Sequence, residues 1–154
     1  MCALRLLAPV SADAAILAGV SKQNVDVVRR AVDAFNSRDL DRALKDLHPD
    51  GEIDWSESRG LERGVYRGRE QVRRFYEQWL EVFEQLDIRP EEFIEVGPHV
   101  VTPNRGLARA REGMTVAVNS TQVFTLRDGK IVRLRLYQDK ETALEAVARA
   151  PAHG

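Results

Sequence analysis

From Ser21 onward the apolar residues Val25, Val28, Ala31, Val32 and Phe35 recur at steps of three and four, the period of a helix with one buried face. Asn36 to Asp39 breaks that period. Asp39 is suited to cap a second, short helix that turns Leu40, Ala43, Leu44 and Leu47 inward. His48-Pro49-Asp50-Gly51 reads as a turn, with His48 placed to cap carbonyls at the helix end. Glu52 to Ser56 alternates polar and apolar, which predicts a half-buried strand with Ile53 and Trp55 on one face and Asp54 toward solvent. Ser58 to Gly68 carries three glycines and mixed charge, and reads as a loop. Gly68 then opens the longest helix, whose core face is Val72, Phe75, Tyr76, Trp79, Val82 and Phe83.

Beyond that helix the period changes to two. Ile88–Val96, His99–Thr102, Leu107–Arg111, Met114–Leu126 and Lys130–Tyr137 are strand-like runs, separated by Gly97-Pro98, Glu112-Gly113 and Asp128-Gly129. The last pair favours a type I′ hairpin turn. Pro103 cannot donate to a ladder and predicts an edge or a bulge. His99, directly after Gly97-Pro98, reads as an exposed turn residue. Asp139 caps a closing helix that buries Ala143, Leu144 and Val147. Helices followed by a meander of strands give an α+β class, with a mostly antiparallel sheet packed on the helices.

Length and charge narrow the function classes. The 154 residues suit one domain, expected from 21 to 149, with residues 1–20 an extension outside the core and 150–154 a short tail. Leu4, Leu6, Leu7, Ile16 and Leu17 of the extension could pack on a partner subunit. Pro9 and Asp13 interrupt its apolar runs, so it does not read as a secretory leader. A net charge of −1 removes the electrostatic argument for nucleic acid, and no apolar run is long enough for a membrane helix. One cysteine and three histidines offer no disulfide or Cys/His metal cluster, so neither metal nor cofactor is expected, and a cytoplasmic setting is. The 19 arginines against 4 lysines fit a GC-rich bacterial genome better than an anion-binding surface, because acids interleave with them.

Three stretches carry a family resemblance: Ala34-Phe35-Asn36-Ser37-Arg38-Asp39-Leu40-Asp41 with His48-Pro49-Asp50, Val65 to Glu70, and Phe124 to Val132 running on through Tyr137-Gln138-Asp139 to Ala146. Together, in this order, they resemble the SnoaL-like polyketide cyclases of the nuclear transport factor 2-like superfamily. The resemblance implies a conical, cystatin-like roll whose curved sheet wraps a long helix. It leaves function open, since the fold hosts isomerases, cyclases, dehydratases, epoxide hydrolases and non-catalytic binders. Laid on the ketosteroid isomerase branch, the base position falls on Trp55, the tyrosine donor on Ala31 and the late aspartate on Gln122. The cyclases' acid/base aspartate also falls near Gln122, and an amide cannot shuttle protons. For the Asp-Arg-Asp set of the limonene epoxide hydrolase branch, Arg109 could supply the arginine but no aspartate accompanies it.

Strand alternation places Leu107, Arg109, Ser120, Gln122 and Gln138 toward the cone interior, with Trp55, Tyr76 and Trp79 closing it. An inward Arg109 needs a carboxylate, several carbonyls or an anionic ligand, because an unpaired buried guanidinium is costly. A bulge at Pro103 to Gly106 would instead turn Arg109 out and Ala108 and Ala110 in. The expected site is therefore a pocket of Trp55, Tyr76, Trp79, Arg109, Ser120, Gln122 and Gln138, with no catalytic residue assigned. It would take a small apolar, oxygenated or weakly anionic molecule, either as a binder or as a cyclase-, isomerase- or hydrolase-type enzyme. Homodimerisation is expected through an outer sheet face carrying Val123, Thr125, Ile131, Arg133, Arg135 and Tyr137.

Overall fold

The computed structural model describes residues 12–59 and 63–150, with side chains from residue 22 onward. Helix α1 spans Ala12–Asn36, crossing the boundary expected at residue 20 without a break. Leu4, Leu6, Leu7 and the tail from residue 151 lie outside the described residues, as do the side chains of Ile16 and Leu17. Helix α2, Leu40–Lys45, starts where Asp39 accepts a hydrogen bond from the Arg42 N–H. Helix α3 is Gly68–Val82, and α4 is Lys140–Arg149, opened by Asp139 accepting from the Thr142 N–H.

The strands are β1 Leu47–Asp54, β2 Val65–Arg67, β3 Phe83–Pro90, β4 Ile94–Val96, β5 His99–Ala110, β6 Thr115–Arg127 and β7 Lys130–Tyr137. They form one sheet in the order β2-β1-β7-β6-β5-β3, with β4 also on β5. Only β1 and β7 run parallel; the other pairs are antiparallel. Several boundaries differ from those expected. The supposed turn His48–Gly51 belongs to β1, where an irregular pairing with β7 absorbs the proline and glycine. His48 caps no helix: its Nδ1 accepts from the Asp50 N–H at 3.0 Å. The loop before α3 contains β2. Pro103 lies inside a continuous β5, not at an end. Its carbonyl accepts from Glu91, so its missing N–H falls on the side where the neighbouring strand changes from β4 to β3.

Helix α3 passes into β3 with no connecting loop, Val82 ending one and Phe83 starting the other. The terminal carbonyls of a helix need donors, and α3 has no basic residue in its last turn. Two arginines from elsewhere supply them. Arg38, in the left-handed region with φ 63°, donates to Leu80, Phe83 and Glu84 carbonyls at 2.5, 3.2 and 3.3 Å. Arg111 donates through its side chain to Glu81 at 2.7 Å and Leu80 at 3.2 Å. Nearby, the Asn36 amide brackets Ile88, donating to its carbonyl at 2.8 Å and accepting from its N–H at 3.0 Å. The end of α1 is thereby fixed to β3.

The concave face of the sheet meets α1 and α3 over a core that includes Val28, Ile53, Val72, Phe75, Val100, Phe124 and Leu134. The convex face is partly covered by α4, with Val101, Val123, Tyr137, Ala143 and Val147 buried together. This corrects the outer face drawn from the sequence. Val123, Thr125 and Tyr137 are already buried within the chain. Ile131 lies in the concave core, because the pairing shifts between Thr125 and Leu126 and leaves Val132 as an extra residue. Only Arg133 and Arg135 keep substantial exposure there, and both are engaged.

That engagement corrects Asp54 as well. It points outward as expected, yet it is 8% exposed. Arg133 and Arg135 lie 3.3 and 3.5 Å from its carboxylate, and Arg133 also reaches Glu52 at 3.3 Å. Ser56 donates to Asp54 through its N–H and its hydroxyl. Burial alone would raise the carboxyl pKa, but the Ser56 hydrogen bonds and the two guanidinium charges outweigh it and hold the group below its ordinary value. His99 is likewise buried, not an exposed turn residue. Its Nδ1 lies 2.8 Å from the Thr125 hydroxyl, and burial, helped by the Arg133 charge, lowers its pKa.

Two stability measurements follow from these contacts. Arg38→Ala and Arg111→Ala should each lower the urea midpoint by an amount equivalent to about 0.5–1 kcal/mol, the worth of a partly exposed charge at a helix C-terminus. A depressed carboxyl pKa stabilises the fold above its unfolded value and ceases to as the pH falls through the folded one. Asp54→Asn should therefore be destabilised at pH 7, with the difference from the parent shrinking toward about pH 2. Urea titrations at the two pH values check the sign.

Candidate ligand cavity

Between α3 and the concave face lies a cavity of about 570 Å³. Its size falls within the range of small-molecule sites. The α3 face supplies one wall through Phe75, Tyr76, Trp79 and Val82, and the sheet supplies the other through Ala108, Ala110, Val118, Phe124, Leu134 and Leu136. Small residues on β5 are what leave the space. Opposite them, Phe83, Leu86 and Ile88 of β3 close the side.

The aromatic end is a packed cluster. Trp55 follows β1 and is held by its N–H donating to the Gly64 carbonyl at 2.7 Å. It meets Phe75 edge-on at 5.4 Å and Trp79 at 6.3 Å between ring centroids. Trp79 also stacks on Phe83 at 5.3 Å, and its buried indole N–H has no acceptor among the described residues. Tyr76 packs on Phe35 at 4.9 Å, and burial pushes its phenol far above the usual pKa. It is a protonated donor throughout the physiological range.

Six of the seven residues expected in the pocket line this cavity: Trp55, Tyr76, Trp79, Ser120, Gln122 and Gln138. Gln138 is at the margin, where its amide donates to the Glu57 carbonyl at 2.6 Å and ties down the loop after β1. Gln122 is 7% exposed, and its amide finds no hydrogen-bond partner among the described residues. Arg109 is elsewhere. It points out of the cone with 55% of its side chain exposed, 3.1 Å from Glu84. Its neighbour Leu107 is exposed too, while Ala108 and Ala110 face inward. The unbroken pairing of β5 with β6 from His99 to Arg109 shows that no bulge is responsible. Alternation was right and its phase was one residue off.

Thr102 and Asn104 were missed. Both are on the concave face, paired across β6 with Gln122 and Ser120, and both are at most 1% exposed. Neither amide atom of Asn104 has a partner among the described residues. The period-two signal runs from Ala108 and Ala110 back through Asn104 to Val100, but Pro103, which cannot donate to a ladder, masks it in the sequence. At the mouth, Val82, Met114 and Val116 are exposed apolar residues beside Glu112. Among the described residues that line the cavity, Tyr76 and Glu112 alone are ionisable. No group of His, Cys, Asp and Glu among the described residues could hold a metal ion. No helix among them is long and apolar enough to cross a membrane.

A family model described as SnoaL-like domain matches residues 28–134. Among solved structures, that of TerC co-crystallised with polyporic acid is 26% identical, covering 82% of this chain and 98% of that one, with a TM-score of 0.67. An NTF2-like protein of unknown function from Burkholderia pseudomallei is 25% identical over 83% of this chain and 98% of its own, also with a TM-score of 0.67. A SnoaL-like polyketide cyclase assignment attaches to a structure from Jannaschia sp. CCS1, 22% identical, covering 85% and 95%, again at 0.67. A cystatin-like fold from Xanthomonas campestris superposes at 0.66, with 20% identity and coverage of 80% and 96%. No curated protein matches the chain in sequence.

The protonation state of Tyr76 is open to a direct test. The chain has three tyrosines. Tyr76→Phe should leave the 295 nm absorbance change between about pH 8 and 11 unaltered, because Tyr76 does not ionise there. Loss of a third of that amplitude in the variant would contradict the raised pKa of its phenol.

Proposed function

The chain belongs to the SnoaL-like domain family, and on that premise we propose that it binds a small apolar, oxygenated molecule in the cone between α3 and the sheet. The observation that carries this reading is the cavity itself. It is walled by aromatic and aliphatic side chains, and a few polar groups, Gln122 and Tyr76 foremost, line it without hydrogen-bond partners among the described residues. A filled core would have no reason to leave those groups unmatched. Co-crystallisation of the similar TerC with polyporic acid supports a small organic guest. Contact with the guest falls to Trp55, Trp79, Ser120 and Gln138 as well. Arg109 drops out of the set.

A cyclase-, isomerase- or hydrolase-type reaction is the second reading, favoured by the likeness to proteins described as polyketide cyclases. Its difficulty is acid–base chemistry. Neither Gln122 nor the aliphatic residues beside it can take up a proton near pH 7, Tyr76 is held in its neutral form, and the one carboxylate among the described lining residues, Glu112, is at the mouth among exposed Met114 and Val116. Binding without turnover is therefore the primary reading. Pairing of two copies through the outer sheet face remains part of the proposal, although of the residues expected there only Arg133 and Arg135 keep substantial exposure; sedimentation at micromolar concentration distinguishes dimer from monomer.

Flavone, a planar aromatic ketone, serves as a probe. Its titration should quench tryptophan emission saturably. Trp55→Ala should weaken binding by about tenfold, in line with the loss of one large aromatic contact, and Gln122→Ala should shift affinity. Absence of saturable quenching, with no heat of binding by calorimetry, would overturn the reading.

A further inference from the structure

We infer that the cavity selects uncharged guests that accept hydrogen bonds, such as ketones and esters, and discriminates against carboxylates of the same shape. This rests on the reading of the cavity as a ligand site and specifies the class of ligand. Three independent observations lead to it.

The first is where the cations are. This is an arginine-rich chain, with 19 of them, yet none of the described residues lining the cavity is Arg, Lys or His. The nearest candidate from the sequence, Arg109, is turned outward onto Glu84. Arg133 and Arg135, on the strand whose Leu134 and Leu136 form the cavity wall, face the opposite side and are held by Glu52 and Asp54. Arg38 and Arg111 are spent on the carbonyls that end α3. An anion entering the cone would lose its hydration and gain no counter-charge, and an uncompensated buried charge is strongly unfavourable.

The second is the sign of the charge that does line the cavity. Glu112, at the mouth among exposed Met114 and Val116, is an acid. Its field at the rim opposes a carboxylate and leaves a ketone unaffected. The third is the polarity of the unpartnered groups. The hydroxyl of Tyr76 and the amide of Gln122 have no hydrogen-bond partner among the described residues, and both residues line the cavity. A phenol and an amide N–H₂ are donors to a neutral carbonyl oxygen. They are weaker compensation for a full negative charge than a guanidinium is. Burial keeps Tyr76 in the donor form.

The test uses a matched pair, 2-acetylnaphthalene and 2-naphthoate, which share a ring system and differ in having a methyl ketone or a carboxylate. Calorimetry at pH 7 on the full chain should give at least tenfold tighter binding of the ketone. Methyl 2-naphthoate, also uncharged, should behave as the ketone does. Tyr76→Phe and Gln122→Met, which preserve volume, should each weaken the ketone several-fold while leaving naphthalene itself unchanged, a difference that a merely structural role for either residue would not produce. Binding of 2-naphthoate as tight as that of the ketone would overturn the selectivity and leave the cavity standing as a ligand site. Failure of all four compounds to bind would overturn both. Equal weakening of naphthalene and the ketone in the two variants would remove Tyr76 and Gln122 as the recognising donors.

Discussion

The pairing of β3 with β5 along the curved sheet depends on one position that admits no side chain. Gly106 is paired with Ile88 on one side and Val118 on the other, and a Cβ placed there would lie 1.7 Å from the Asp87 carbonyl oxygen. No rotamer adjustment relieves a clash with backbone, so any other residue would push the strands apart. The change of partner from β4 to β3 occurs three residues earlier, at Pro103, whose absent N–H costs nothing at such a junction. A proline and a glycine thus permit one long strand to serve two neighbours and bend. The inner face of that bend carries Ala108 and Ala110, and their small size converts curvature into a cavity.

Much of this architecture was readable in the chain, for reasons specific to particular residues. Val72, Phe75 and Trp79 repeat at helical spacing over a stretch bounded by Gly68, so α3 declared itself. Asp128 and Gly129 both adopt positive φ, 53° and 75°, as a type I′ turn demands, and the β6–β7 hairpin followed directly. The phase of β5 was another matter. Leu107-Ala108-Arg109-Ala110 offers one face with a leucine and an arginine and another with two alanines, and bulk argues for burying the leucine. What decides it is tertiary: the pairing with β3 brings Phe83 and Leu86 together with Ala108 and Ala110 on the inner side. Spacing along one strand does not contain that information. The same holds for Asp54, whose burial depends on Arg133 and Arg135 some eighty residues later in the chain.

Charge is partitioned between the two faces of one strand, and this partition connects the fold to its use. Along β7, Arg133 and Arg135 alternate with Leu134 and Leu136, so a single stretch of backbone holds an ion-pair network outside and an apolar wall inside. The network's value to stability is modest because the arginines remain partly in water. Its structural consequence is larger. A guanidinium ion-paired with Asp54 or Glu52 on the outer face stays on that face, so the interior keeps its low polarity.

In an interior of that kind the few polar groups count for more than they would in water. A donor such as the Tyr76 hydroxyl or the Gln122 amide, left open toward the cavity, gains from a guest's carbonyl roughly what it forgoes by being away from solvent. A guest lacking an acceptor leaves the donor unmet, and a guest with a full charge brings a desolvation cost that these dipoles cannot offset. Selection in this fold therefore needs no dedicated ion. It arises from which groups the strand alternation turns inward, and the one-residue phase of β5 that sends Arg109 to Glu84 decides that the inward set is neutral.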